Sequence, residues 1–224
     1  MHIGFQLPKP FEASAPPMMS SLSLRRATTH SRRSGCSRFR MRDIAPSYWV
    51  RRFAALIPTG GRVLDVACGS GRHARLLANL GYQVEAVDRD ALALAALDGS
   101  QRITTRIADL ENGPWPFDAA CFDGVIVSNY LYRPRFDALI DVLRPGGVLI
   151  YETFMVGNES LGKPSNPDFL LQPGELLDRV RRRLTVIAFE QGRVDEPNPA
   201  FLQRICAAAG GVGRLPTWVQ ARAV

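Results

Sequence analysis

The feature that most constrains the fold is a short apolar strand that runs directly into a glycine-containing loop and then a helix. RVLDVA (62–67) carries one acid, Asp65, and CGSG (68–71) leads into the helical pattern RHARLLANL (72–80). Glycines let the backbone turn sharply and approach a ligand closely. A strand, a tight turn and a helix in this order begin a parallel crossover unit, so the sequence predicts an α/β sheet.

The rest of the chain continues this alternation. Strands are predicted at 62–67, 82–88, 102–109, 122–129, 147–154, 184–191 and 200–209, with helices at 44–57, 72–80, 91–98, 133–143 and from about Pro173. Only the turn GRVDEPNP separates the last two strands, which is too short for a parallel crossover. The prediction is a doubly wound, mostly parallel seven-stranded sheet with an antiparallel edge hairpin, in one domain spanning 43–210.

The positive charge is concentrated in the first fifth of the chain. The 224 residues carry 28 Lys and Arg against 21 Asp and Glu, a formal net charge of +7. Residues 1–42 hold eight basic side chains and one acid, Glu12, so residues 43–224 are balanced at 20 of each sign. A pI of about 9.7 taken alone would suggest a nucleic-acid partner. The neutral domain disfavours that partner.

The segment 1–42 is expected to be a disordered basic arm, because it combines low hydrophobicity, charge of one sign and no helical or strand period. Three interpretations stay open. The arm remains disordered, it is an Arg- and Ser-rich organellar transit peptide, or it lies upstream of a true translation start at Met41. Residues 211–224 form a tail without an assigned role. The protein is expected to be cytoplasmic unless the arm targets it to an organelle.

Several classes of protein are excluded by simple counts. No run approaches 18 apolar residues, so neither a membrane span nor a membrane partner is expected. Cys36, Cys68, Cys121 and Cys206 form no CxxC pair, which argues against a zinc site or a disulfide framework. Outside the arm His73 is the single histidine, so no metal site is predicted. The sequence sets no oligomeric state.

Acidic side chains mark three neighbouring predicted strands. Asp65 lies in the first, Asp88 ends the second 17 residues after Gly71, and Asp109 ends the third. The carboxyl ends of parallel strands meet at one edge, where open α/β sheets bind ligands. An acid at the end of the second strand commonly accepts hydrogen bonds from ribose hydroxyls. The spacing therefore predicts a ribose-containing ligand at this edge.

These segments together resemble the class I S-adenosylmethionine-dependent methyltransferases. The resemblance rests on VLDVACGSG, VEAVDRD, ADLENGPWPF, FDGVIVSN and LRPGGVLIYE, which run in family order over about 62–152. It implies a Rossmann-like fold, S-adenosylmethionine as cofactor, and methyl transfer to a small-molecule acceptor, as in the tellurite-resistance and ubiquinone-biosynthesis branch. One departure is Ala67, where many members have glycine.

The resemblance also implies a role for each residue of the cofactor site. Asp65 would orient the amino-acid end of the cofactor, and Asp88 would hold the ribose hydroxyls. Arg89 would flank the adenine, Asp109 would accept from its amino group, and Leu110 would pack on its ring. The close-approach loop and the fourth-strand residues beneath the sulfonium complete the set: Ala67, Gly69, Gly71, Ser128 and Asn129.

Tyr130 and Glu152 are the catalytic candidates, because both lie at carboxyl ends of strands that face the expected methyl group. A base is optional when the acceptor is already nucleophilic, since the protein must mainly supply proximity and alignment. For Tyr130 the alternative is a wall of the cofactor pocket. For Glu152 the alternative is an orienting role.

The stretch 154–171 has no helical or strand period, and loops this long are usually lids or binding loops. We expect it to cover the acceptor, with the helix 44–57 closing the other side; a plain surface excursion is the alternative. Its polar, uncharged character suggests a small neutral or mildly polar acceptor. The predicted acceptor residues are Tyr48, Trp49, Asn158, Glu159, Asn166 and Phe169.

Three other functions stay open. A methyltransferase for RNA or another nucleic acid would use the arm as an electrostatic handle. An NAD(P)-dependent oxidoreductase shares the GxGxxA pattern, and a domain could also bind S-adenosylmethionine without turnover. The residues SNYL (128–131) replace an NPPY-type tetrapeptide, which disfavours amino methylation of adenine or glutamine.

Overall fold

A computed structural model describes residues 45–211, so the predicted arm (1–42) and residues 212–224 of the predicted tail lie outside the described part of the chain. Within it, the strands form one sheet in the order β3-β2-β1-β4-β5-β7-β6. The strands are β1 (Arg62–Val66), β2 (Gln83–Asp88), β3 (Ile103–Ile107), β4 (Phe122–Ser128), β5 (Leu143–Phe154), β6 (Thr185–Val194) and β7 (Ala200–Ala208).

The sheet confirms the predicted fold class. Neighbouring strands among β1 to β5 are parallel. Strand β7 is antiparallel to both β5 and β6, which gives the expected hairpin at one edge. The strand order runs in opposite directions from β1 and from β4, and this reversal leaves a crevice at the carboxyl ends of those two strands, where open α/β sheets bind ligands.

Helices cover both faces of the sheet. They are α1 (Tyr48–Phe53), α2 (Arg72–Asn79), α3 (Ala91–Ala95), α4 (Phe136–Asp141) and α5 (Glu175–Val180). One buried apolar cluster packs α1, α2 and α3 against the sheet. A second packs α4 and α5 against the opposite face. The architecture is therefore a three-layer sandwich with the crevice at one end.

Helix boundaries follow local capping. Asp90 caps α3, since its Oδ1 accepts from the backbone N–H groups of Leu92 and Ala93 at 2.9 and 3.2 Å. The predicted helix 44–57 is α-helical only over Tyr48–Phe53 and continues as a 3-10 turn, Ala54–Leu56, before Pro58. The predicted helix 133–143 likewise opens with a 3-10 turn at Arg133–Arg135.

The start of β5 differs from the prediction, and the connection between β3 and β4 is covered by aromatic rings. Strand β5 starts at Leu143, earlier than predicted, because Leu143 pairs with Phe122 across a register shift. The connection 108–121 between β3 and β4 contains no helix. There Trp115, Phe117 and Phe122 stack edge to face, with ring centroids 5.3 and 5.5 Å apart, and cover this part of the sheet.

Candidate functional site

The loop after β1 is held in a conformation that depends on glycine. Ala67, Gly69 and Gly71 all have positive φ angles, of 49°, 55° and 77°. A Cβ on Gly71 would lie 2.4 Å from a methyl group of Leu97, whereas a Cβ on Gly69 would meet nothing within 4 Å. The loop is therefore closed on its inner side at Gly71 and open in front of Gly69, where a ligand can approach the backbone.

Asp65 is a buried carboxylate at the end of β1, next to this loop. Its side chain is 1% exposed, and Oδ2 has no hydrogen-bond partner among the described residues. Burial raises the pKa of Asp65 to about 7, although a backbone hydrogen bond from Ala74 and the charge of Arg72 oppose the shift. A buried carboxylate oxygen with no partner fits the cationic ammonium group of an amino acid.

Asp88 joins the end of β2 to the glycine loop. Its Oδ2 accepts from the backbone N–H of Gly69 at 2.7 Å, and its Oδ1 accepts from the N–H of Asp90 at 2.9 Å. Each carboxylate oxygen keeps further acceptor capacity. Contact of Asp88 with ribose hydroxyls stays a prediction. Arg89 follows on the surface and is exposed.

Asp109 caps a turn in this structure. Its carboxylate accepts from the backbone N–H groups of Glu111 and Asn112 at 2.9 and 3.1 Å, and from the Asn112 amide at 3.0 Å. The Asn112 amide and then these backbone donors lower the pKa of Asp109. Leu110, next in the chain, is buried in the core. The adenine contacts of both residues stay predictions.

The carboxyl end of β4 leads into a chain of polar contacts. Ser128 Oγ accepts from Nη2 of Arg72 at 3.0 Å and lies 3.1 Å from Oε1 of Glu152, to which it donates. Asn129 is exposed, has a φ of 56°, and donates its backbone N–H to the carbonyl of Glu152 at 3.0 Å. Ser128 therefore links the first turn of α2 to β5.

The two catalytic candidates differ in their surroundings. Glu152 is 6% exposed, and besides Ser128 it faces Arg204, whose Nε lies 3.5 Å from Oε2. The Tyr130 hydroxyl is buried without a partner among the described residues, and burial, then the charge of Glu111, raises its pKa. Tyr130 therefore keeps its proton at neutral pH, while Glu152 is held as the partner of a cation.

The structure corrects the prediction for two acceptor residues. Trp49 has no exposed surface; it packs in the core, and its Nε1 donates to the carbonyl of Ile205 at 3.1 Å. Asn158 is 3% exposed, donating to the Pro164 carbonyl and accepting from the Phe201 N–H. Both polar side chains are satisfied inside the protein, so neither is available to an acceptor.

The other predicted acceptor residues lie at the surface. Tyr48 is 63% exposed and Phe169 is 48% exposed. Glu159 accepts from the Gly157 N–H at 2.7 Å, and Asn166 accepts from the Asp168 N–H at 3.1 Å. Contact of these four residues with an acceptor stays a prediction.

Sequence reasoning did not assign a role to Arg72 or find the contact of His73. The Nε2 atom of His73 accepts from the backbone N–H of Ser47 at 3.1 Å, and burial lowers the pKa of His73 to about 3. Nη1 of Arg72 lies 3.5 Å from the Ala45 carbonyl. The available signal was their position in the first turn after Gly71, since that turn must face the crevice.

A parallel sheet with a glycine loop, a buried acid at β1 and an acid at the end of β2 defines a domain that binds a ribose-containing cofactor. Comparison with known proteins narrows this class. Residues 63–147 match a family model described as a methyltransferase domain. The fold, the site and this match support a class I S-adenosylmethionine-dependent methyltransferase domain, with S-adenosylmethionine as its cofactor.

Curated relatives differ in what they modify. A tRNA U34 carboxymethyltransferase of Methylococcus capsulatus is 33% identical over 123 residues, which are 50% of this chain and 38% of that protein. A ubiquinone biosynthesis O-methyltransferase of Xanthomonas axonopodis is 34% identical over 110 residues, covering 45% of this chain and 46% of that protein. This chain thus spans half or less of the length of either relative.

A solved structure supports the fold. TehB from Haemophilus influenzae matches with a TM-score of 0.58 at 19% identity, covering 69% of this chain and 59% of that one. Within residues 45–211, no helix is long and apolar enough to cross a membrane. In the same range no group of three or more His, Cys, Asp or Glu side chains is arranged to hold a metal ion.

Proposed function

We propose that this chain transfers the methyl group of S-adenosylmethionine to a small-molecule acceptor by in-line displacement. The observation that carries the proposal is the Oδ2 atom of Asp65, which is buried beside the glycine loop without a partner. Burying an unpaired carboxylate costs free energy, so the arrangement is best explained by a ligand that brings a cation. The ammonium group of S-adenosylmethionine is such a cation.

The remaining cofactor contacts follow from the order of the strands. Asp88 receives the ribose hydroxyls, because its carboxylate lies at the Gly69 backbone, from whose N–H it accepts, and keeps further acceptor capacity. Arg89, Asp109 and Leu110 lie towards the adenine end. The methionine end and the sulfonium then extend over the ends of β1 and β4, towards Ser128 and Asn129.

In the proposed reaction the side chains mainly align the cofactor and the acceptor. When bound, S-adenosylmethionine supplies an activated methyl group and a neutral thioether as leaving group. Tyr130 forms a wall of the site and keeps its proton, since its pKa is raised by burial. Glu152 orients Ser128 and pairs with Arg204, so a carboxylate that already serves two partners is not the base. We therefore expect an acceptor that is nucleophilic without deprotonation by the enzyme.

A small-molecule acceptor is supported by charge and by surface. Residues 43–224 are electrically balanced, so the domain lacks the excess of cations that phosphate backbones require. Tyr48 and Phe169 expose aromatic surface. Phe169 lies in the segment that follows β5, and Ser47, next to Tyr48, bonds to His73 in the first turn of α2. The ubiquinone biosynthesis O-methyltransferase among the relatives is consistent with a small acceptor.

The direct test is a methyl-transfer screen with labelled S-adenosylmethionine on pooled metabolites and, separately, on total RNA. We expect label in a small-molecule fraction with the wild type, and its loss with Asp88→Ala. The variant Asp90→Ala is the matched control, because the Asp90 side chain caps α3, while the backbone N–H that Asp90 donates to Asp88 is kept in the variant. Full activity in Asp88→Ala would refute the assignment of the site.

A nucleic-acid acceptor is the second candidate, and one observation favours it. The relative from Methylococcus capsulatus is a tRNA U34 carboxymethyltransferase that matches half of this chain. This candidate predicts label in the RNA fraction, with transfer that falls steeply as salt concentration rises. Label confined to metabolites would exclude it.

A further inference from the structure

A cleft of about 770 Å³ lies beside α5, which packs on the face of the sheet opposite to α2. Its walls come from the 3-10 turn after β4, from the segment 167–173, and from α5 with the turn that follows it. None of the residues assigned to the cofactor lines this α5 cleft. Its volume suits a small organic ligand.

Glu175 lines the α5 cleft, and its acceptor capacity is used up within the protein. Its Oε1 accepts from Nε of Arg133 at 2.8 Å and from Nε of Arg179 at 3.0 Å. Its Oε2 accepts from Nη2 of Arg133 at 2.9 Å and from the backbone N–H of Gln172 at 3.0 Å. Four hydrogen bonds fill the acceptor sites of one carboxylate. Glu175 therefore holds two guanidinium groups in place and offers no acceptor to a ligand.

Charged donors remain on two arginines of the cleft. Arg179 is held by Glu175 through Nε, and its guanidinium carbon lies 5.4 Å from the ring centroid of Phe136. Its two terminal nitrogens form no hydrogen bond within residues 45–211. Arg182, three residues further on, is exposed and forms neither a hydrogen bond nor an ion pair with any described residue. Because a guanidinium has five N–H donors, both side chains keep donors that the protein does not use.

The charges that line the cleft leave a small positive excess. The lining contains three arginines and three acids: Arg133, Arg179, Arg182, Asp168, Glu175 and Asp178. Asp178 pairs at 2.8 Å with Arg181, which does not line the cleft. Three arginines then face two acids, Glu175 and Asp168, which leaves one positive charge. The Asp168 carboxylate forms no hydrogen bond or ion pair with any described residue, so it disfavours a second anionic group in the cleft.

We propose that the α5 cleft binds a small organic anion with one carboxylate or phosphate group, at a site separate from that of the cofactor. Arg179 and Arg182 donate to the anionic oxygens, since guanidinium groups match carboxylates and phosphates with paired hydrogen bonds. Pro167 and Pro173 give the body of the ligand an apolar wall. Asp168 works against polyanions, so the site selects a ligand with a single anionic group.

The test is calorimetry with benzoate and phenyl phosphate, which share an aromatic ring and differ in the anionic group. Benzyl alcohol is the neutral probe. We expect the wild type to bind at least one of the anions with a Kd of about 1 mM or lower, and benzyl alcohol at least about tenfold more weakly. Tighter binding of phenyl phosphate identifies a phosphate ligand, and tighter binding of benzoate identifies a carboxylate. Saturating S-adenosylhomocysteine should change these affinities by less than about twofold, because the two sites are separate.

Three variants assign the binding to the named side chains. Arg182→Ala should weaken the anions about tenfold, and its exposed position makes loss of folding an unsuitable explanation. Asp168→Asn should tighten them about two- to fivefold, because it removes the repelling charge and keeps the backbone carbonyl that Arg133 holds. Arg102→Ala is the matched control, since it removes the same charge next to β3, at the opposite edge of the sheet from β6. It should leave the affinities unchanged.

Three outcomes would overturn the proposal. If the wild type binds neither anion, or binds benzyl alcohol equally well, the cleft is not an anion site. If Arg182→Ala and Arg102→Ala have the same effect, the anions respond to net charge and not to the cleft. If S-adenosylhomocysteine displaces the anions, they occupy the cofactor edge and no separate site exists.

Discussion

Two loops at the carboxyl ends of the strands differ in how their polar groups are satisfied. In the loop 67–71, three positive φ angles and the unpartnered Oδ2 of Asp65 beside it leave the backbone and a charge open to a ligand. In the loop 155–170, Asn158, Glu159 and Asn166 all bond within the protein. Both loops are polar in sequence, yet a buried polar side-chain atom without a partner lies beside the first loop, and the described residues of the second contain none.

The second loop is further anchored at its base. Arg133 donates to the carbonyls of Asp168 and Leu170 at 2.7 and 2.9 Å, and it pairs with Glu175 at 2.8 Å. Burial by itself would raise the pKa of Glu175, but hydrogen bonds from Arg133, the Gln172 N–H and Arg179 outweigh it and lower the pKa to about 2. A ligand site is therefore indicated by a buried polar atom that has no hydrogen-bond partner in the protein. The length of a loop alone does not indicate a ligand site.

The largest expected difference between the loops concerns their glycines. Gly71→Ala combines a φ of 77° with a Cβ 2.4 Å from Leu97. It should lower the free energy of unfolding by about 3 kcal/mol and abolish cofactor binding. In Gly162→Ala the positive φ strains the backbone, but the new Cβ would meet no atom within 4 Å, so the free energy of unfolding should fall by about 1 kcal/mol. Urea unfolding measures both, and equal losses would contradict the contrast.

The next effect is the pH dependence caused by Asp65. The pKa of Asp65 is about 7 in the folded protein against 3.8 for an unperturbed aspartate, so the folded state binds more protons than the unfolded state between those values. Stability of the ligand-free protein should therefore fall as pH rises from about 4 to about 7, and then level off.

Asp65→Asn isolates this contribution. His73 acts with the opposite sign, because its lowered pKa makes stability rise as pH increases from about 3 towards 6.5. That contribution is the same in both proteins and cancels in the comparison. The variant should gain stability relative to the wild type as pH rises; parallel curves would show that Asp65 does not retain its proton.

A smaller effect is expected for Asn158 in the second loop. Asn158→Ala leaves the Phe201 N–H and the Pro164 carbonyl without their partner, and should lower stability by about 1–3 kcal/mol. Affinity for S-adenosylhomocysteine should not change, because the residue lies outside the cofactor loop. The exposed turn cap Asn166 offers a comparison, and Asn166→Ala should cost about 0.5 kcal/mol. Weaker binding of S-adenosylhomocysteine by Asn158→Ala would show that the second loop contributes to cofactor binding, and would contradict this prediction.

The smallest expected change in stability is at Phe169. The side chain is 48% exposed, so Phe169→Ala should alter the free energy of unfolding by less than about 0.5 kcal/mol. If the residue covers the acceptor, as proposed, KM for the acceptor rises while the Kd of S-adenosylhomocysteine stays constant. Unchanged kinetics would remove Phe169 from the acceptor site.

The fold was predictable because its signals are local. Alternating strands and helices, the Asp90 cap and the short turn before β7 each act within a few residues, and the structure confirms them. Trp49 was predicted to contact the acceptor, although the apolar pattern of its helix already indicated a core position. It shares an apolar helical stripe with Phe53, and the two rings pack edge to face in the core.

The parts of the site that sequence could not show depend on contacts between distant segments. Arg72 meets Ser128 across 56 positions, and His73 meets Ser47 across 26. Asp109 caps a turn through local hydrogen bonds. The sequence could not show this, because an aspartate at the end of a strand can either cap a turn or bind a ligand. Residue identity and spacing therefore locate the cofactor edge, while the hydrogen bonds show which groups remain free.

The central claim is that the carboxyl ends of β1 and β2 bind S-adenosylmethionine. Calorimetry with S-adenosylhomocysteine and with NAD tests it, using the wild type, Asp88→Ala and the control Asp90→Ala. We predict binding of S-adenosylhomocysteine alone, weakened by about tenfold or more in Asp88→Ala and unchanged in the control. Preferential binding of NAD, or full affinity for S-adenosylhomocysteine in Asp88→Ala, would contradict the account.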